Sequence, residues 1–170
     1  MPKPLTEVLR HQFDSTLHMA RVLTDVCPGD VWVVSYNGVP FWQQVFHFVW
    51  FIDFWMRETY DDGEWRVMVF DDAYSTDLYA DSYEGLFISR EEMRTYLDAI
   101  QAKTTRLFNR LSDEALSISM RIDDMLLTYT DIITGQLRHI MYNIGYLNGI
   151  LRAQGCPESD WYAYNEPEGS

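Results

Sequence analysis

Gly135-Gln136-Leu137-Arg138-His139-Ile140-Met141-Tyr142-Asn143-Ile144-Gly145-Tyr146-Leu147-Asn148 is the stretch that decides how this chain folds. In and around it, Ile133, Leu137, Ile140, Ile144, Leu147 and Leu151 follow one another in alternating steps of four and three. That spacing makes one apolar stripe on an α-helix packed against other helices. The helix is expected over about 130–153, with Gly155 and Pro157 ending it. His139 and Asn143 stand four residues apart on it, so both side chains leave one face, one turn apart. A histidine at this spacing from another ligand lets a helix offer two groups to one metal ion.

Three more segments carry helical spacing. The first runs over about 4–26, with Leu5, Val8, Leu9, Phe13, Leu17, Ala20 and Leu23 on its apolar side. Pro4 suits a first turn, and Cys27-Pro28-Gly29-Asp30 is a stop signal. The second runs over about 39–60, opened by Pro40 and closed by Asp61-Asp62-Gly63. The third starts at Ser89-Arg90-Glu91-Glu92, a capping box in which Ser89 and Glu92 satisfy each other's backbone amides. It continues through Met93, Tyr96, Leu97, Ile100, Thr104, Leu107 and Phe108 to a turn at Ser112-Asp113.

The connections are unequal. The stretch from Asp61 to Ile88 is long, acidic and rich in tyrosine, and Trp65-Arg66-Val67-Met68-Val69-Phe70 within it reads as a short strand or a buried clasp. Glu114 to Tyr129 is a medium crossover with an alternating piece at Ile118–Ile122. An all-α four-helix bundle with long crossover loops fits these lengths better than a strict up-and-down bundle. Residues 1–155 form the bundle and 156–170 an acidic aromatic tail that packs on the body or frays.

Composition bounds the function. A chain of 170 residues, 47% apolar and 15% aromatic, is most simply one domain with a real core. A formal charge of −13 without a basic patch argues against a nucleic-acid partner, which needs cations for its phosphates. No apolar run reaches the roughly 18 residues of a membrane span, and Met1–Glu7 lacks the regions of a signal peptide, so the expected location is cytoplasmic. Cys27 and Cys156 make no disulfide framework and read as two reduced thiols. The acidic crossover reads as a solvated loop rather than a calcium site, because no EF-hand spacing occurs in it.

A second polar position lies in the aromatic run Phe41-Trp42-Gln43-Gln44-Val45-Phe46-His47-Phe48-Val49-Trp50-Phe51. The order is a helix, a Trp-bearing loop (Trp32), a helix with a lone His47, a crossover, a capped helix, and a last helix with His139, position 143, Gly145 and Leu147. In this order the chain resembles the DinB/YfiT-like superfamily of four-helix bundles, described as metal-dependent enzymes. The likeness covers about residues 4–155, and its most specific part is Arg138–Leu147. The resemblance implies a divalent ion such as zinc or nickel on one histidine of the second helix and two on the last. Those positions here are His47, His139 and Asn143, so the third ligand departs from the pattern. It also implies a thiol-dependent transferase type of activity and a homodimer.

Asn143 leaves two readings open. Two imidazoles and an amide oxygen hold a borderline-soft ion more weakly than three imidazoles. In the other reading the three residues form a hydrogen-bonded polar cluster without metal, in a non-catalytic small-molecule binding or interaction protein. Other candidates are lesser. His11 and His18 are two turns apart on the first helix, too far for one ion, and Asp14 is spaced to pair with His18. Asp53 reads as a carboxylate supporting the site or, more simply, as a paired or solvent-facing residue. Arg138 and Tyr142 flank the site and read as surface or interface residues or, less simply, as substrate contacts. The second helix is apolar nearly all round, so the crossover or a second subunit must cover it.

Overall fold

The computed structural model describes residues 4–60, 63, 65–70, 74–78 and 85–162. The chain is mostly helical, with two small two-stranded sheets, of which only the alternating piece at 118–122 gave a sign in the sequence. Helix α1 (Leu5–Val26) buries Leu9, Phe13, Leu17, Ala20 and Leu23, the stripe expected from their spacing. It stops where Cys27 is followed by Pro28, which has no amide proton to continue the ladder. A short helix α2 (Gly29–Val33) follows and puts Trp32 into the core, with the indole N–H donating to the Ile88 carbonyl at 2.8 Å.

The strands β1 (Ser35–Tyr36) and β2 (Val39–Pro40) pair antiparallel around Asn37-Gly38. Both turn residues have positive φ, 54° and 84°, the conformation that an Asn-Gly hairpin turn requires. Helix α3 (Phe41–Trp55) ends about five residues earlier than its apolar run suggested, because the chain leaves helical geometry at Met56 (ψ 71°). Helix α4 (Arg90–Arg110) opens with the expected Ser89–Glu92 capping box. A 3₁₀ turn (Ala115–Ser117) and a hairpin of β3 (Met120–Ile122) and β4 (Met125–Leu127) account for the alternating piece in the second crossover. Helix α5 (Tyr129–Ala153) begins with a second capping box, Thr128 with Asp131, and ends at Gly155 (φ 69°), where Cys156 donates back to the Leu151 carbonyl.

Helix α1 packs on α4 and α5, and α3 packs on the same two helices. The first crossover, where it is described, folds onto α3. Phe70 lies edge-on to Phe46, Tyr74 is T-shaped to Trp42, and Trp65 meets Trp50 and Phe54. The cover that the all-round apolar α3 demanded is therefore supplied, on this side, by its own chain. Trp65–Phe70 is a clasp and not a strand: Val67 N–H donates to the Asp53 carboxylate at 3.0 Å. The tail packs as far as it is described, with Ser159 buried and its hydroxyl donating to the Met19 carbonyl at 2.8 Å. Expectations placed on residues 61, 62, 64, 71–73, 79–84 and 163–170 lie outside the described residues.

Among the described residues, no helix is long and apolar enough to cross a membrane.

Candidate functional site

The packing of α3 on α5 brings His47 and His139 together, Nε2 to Nε2, at 3.1 Å. The crossover closes over the pair. His47 Nδ1 sits 2.7 Å from the Thr76 carbonyl, which can only accept, so Nδ1 carries the proton. The Nε2 lone pair of His47 is thereby aimed at His139. Next to it Gln43 Nε2 donates to the Ser75 carbonyl, fixing the same piece of crossover one residue along. Phe51, one turn after His47, lies edge-on to both imidazoles with ring centroids 5.0 and 5.4 Å away.

Two arrangements satisfy this geometry. Without an ion, His139 donates its Nε2 proton to His47. With metal–nitrogen bonds of about 2.0–2.1 Å, two imidazoles on one ion place their nitrogens roughly 2.9–3.4 Å apart, depending on the coordination angle. The observed separation fits either, and the carbonyl behind His47 is the support that metal-bound histidines usually have. Burial lowers the pKa of His47, and burial followed by the charge of His47 lowers that of His139 to about 4. Both rings are neutral at pH 7, the form a metal ion requires.

Asn143 is buried one turn beyond His139, and its amide nitrogen donates to the His139 carbonyl at 2.9 Å. That bond occupies the nitrogen and leaves Oδ1 as the atom it can offer. The side chain also lines a cavity of about 260 Å³ with Gln44, Tyr36, Asn37, Tyr142 and Tyr146. Gln44 is 4% exposed on the wall of this cavity. Among the described residues no group of three or more His, Cys, Asp or Glu side chains is placed to hold an ion. Among the described residues, the groups that could hold an ion here are the two imidazoles and the Asn143 amide.

The lesser candidates are elsewhere. Asp53 is fully buried and is a structural ion-pair partner: Lys103 Nζ reaches its carboxylate at 2.6 Å and Tyr96 donates to it at 3.0 Å. Asp14 does not take His18 but Arg10 at 3.6 Å and the Gln101 amide at 2.9 Å, while His18 lies against the Tyr162 ring at 4.2 Å. Arg138 and Tyr142 are exposed, as read. Cys27 is buried, and burial pushes its thiol up to about 12, which removes it as a nucleophile at neutral pH. Sequence reasoning missed the roles of Thr76, Phe51 and Gln44. Phe51 was findable from its four-residue spacing to His47, and Gln43-Gln44 from being the amide pair in an apolar helix.

Comparison of the chain with models of known families, with curated proteins and with solved structures gives no match, and none of them identifies a DinB/YfiT-like family.

Proposed function

We propose that this chain is a DinB/YfiT-like four-helix bundle that takes a divalent ion such as zinc or nickel on His47 and His139. The observation that carries the reading is the convergence of the two Nε2 atoms to 3.1 Å with His47 anchored behind by the Thr76 carbonyl. The pairing of α1 and α3 with both α4 and α5 supports the bundle. Asn143 Oδ1 is the third, weaker donor. When bound, the ion would supply Lewis-acid activation of a thiol or water, as the thiol-transferase type of chemistry needs. The chain's own contribution is to hold two neutral imidazoles in a fixed orientation and to shield them with Phe51. The homodimer implied by the resemblance belongs to the same proposal, and light scattering of the purified chain tests it.

The experiment is the metal content of tag-free protein after zinc or nickel loading and desalting, beside His47→Ala and His139→Ala. The expected result is close to one ion per chain in the parent and none in either variant. An equal, low content in all three proteins would overturn the reading. One observation favours a second function, a non-catalytic small-molecule binder: the cavity of about 260 Å³ with the buried amides of Gln44 and Asn143 on its wall. A metal-free parent would move the assignment there.

A further inference from the structure

The geometry points to a second site, on the far end of α3, that binds a small molecule through a phosphoryl group. A cavity of about 280 Å³ opens there between the residues that follow α3, the clasp and α4. Four of the chain's thirteen lysines and arginines line it: Arg57, Arg66, Lys103 and Arg106. In a protein of net charge −13 this is a local reversal of sign.

The four cations are not equivalent. Lys103 is taken, because its ammonium reaches the Asp53 carboxylate and the Trp65 carbonyl, each at 2.6 Å. Glu58, also on the wall, is ion-paired outward with Arg110. Arg57, Arg66 and Arg106 have no ion pair among the described residues. Arg57 is the informative one. It is 8% exposed, and its Nε–H is buried without a hydrogen-bond partner. Its guanidinium lies 4.6 Å from the centroids of both Phe54 and Tyr60, and 5.4 Å from that of Trp65. Ring faces attract the charge but accept little from its N–H donors, so a buried guanidinium left in this state is costly.

Its position is held from behind. Tyr129 donates its hydroxyl to the carbonyls of Arg57 at 3.1 Å and Glu58 at 3.0 Å, pinning the backbone to the start of α5. Burial lowers the pKa of Lys103, the Asp53 carboxylate opposes that shift, and the neighbouring charges of Arg57 and Arg106 add to it. Three guanidiniums with no ion pair among the described residues match the charge of a phosphate monoester, about −1.5 to −2 at neutral pH, better than that of one carboxylate. Planar guanidinium forks suit its oxygens, and the cavity leaves room for an organic group beside Trp65.

The test is calorimetric titration of the full chain with inorganic phosphate, at constant ionic strength set by sodium chloride and with chelator present. The chelator makes the result independent of the metal proposal. Saturable phosphate binding is expected, weakened about tenfold or more in Arg66→Gln and in Arg106→Gln, the scale of one charge-assisted hydrogen bond. Both residues are exposed, so these variants should fold whether or not Arg57→Gln does. Absence of saturable binding, or undiminished binding in both variants, would overturn the site. Malonate binding as tightly as phosphate would overturn the phosphoryl assignment.

Discussion

His139 shows how much one residue's surroundings decide. In the metal-free protein its folded pKa is about 4, against an ordinary value of 6.5. Between those values the unfolded chain binds the extra proton, so stability falls as pH drops from about 6.5 towards 4 and is fully present above 6.5. Melting temperature measured from pH 7.5 to 4 should therefore fall less steeply in His139→Gln than in the parent. An identical slope would mean that this ring is not held neutral by burial. Asn143 carries the other prediction at this scale. Asn143→His supplies a third imidazole, and zinc affinity should rise by roughly tenfold or more, the scale on which single changes around an ion act. A competition titration with a zinc-binding dye reads this directly. His139 and Asn143 were legible as candidates from their spacing, and His47 as a lone histidine in an aromatic run that the resemblance joined to them. The Thr76 carbonyl was not, since a backbone acceptor 29 residues away leaves no trace in side-chain pattern.

At the level of elements, helices with a one-sided apolar stripe and capping signals were readable. Helix α4 begins one residue after Ser89, as its capping box requires. The Asn37-Gly38 hairpin and the Thr128–Asp131 box were equally present in the sequence but overlooked, because they flank apolar runs that drew the reading. The clasp was ambiguous for a physical reason: a run of six residues, all apolar but Arg66, is too short for periodicity to tell a strand from a packed loop. It is tied down by the buried Asp53, which joins α3 to Lys103 and Tyr96 on α4 and to Val67 on the crossover. Asp53→Ala would leave Lys103 charged and half-stripped of water. It should cost about 3–5 kcal/mol, as broken buried pairs do. Asp53→Leu with Lys103→Met should recover much of that loss. Urea denaturation of the three proteins decides it, and a loss under about 1 kcal/mol in Asp53→Ala would show the pair to be dispensable.

On the scale of the whole molecule, excess negative charge opposes folding by self-repulsion, and salt screens it. Raising sodium chloride from about 10 to 150 mM should raise the melting temperature by a few degrees, because the screening length shrinks from about 30 to 8 Å. An unchanged or lower value would mean that local ion pairs already cancel the repulsion. Local sequence is enough for the helical character, the ends of three long helices and the identity of the two histidines. Those follow from local periodicity, capping and residue type, which act over one or two turns. That the crossover covers α3, that Asp53 serves Lys103 and not the histidines, and that His47 and His139 meet at 3.1 Å came from the packed chain. Each of these depends on contacts between residues tens of positions apart, where helix packing rather than local preference sets which side chains face one another.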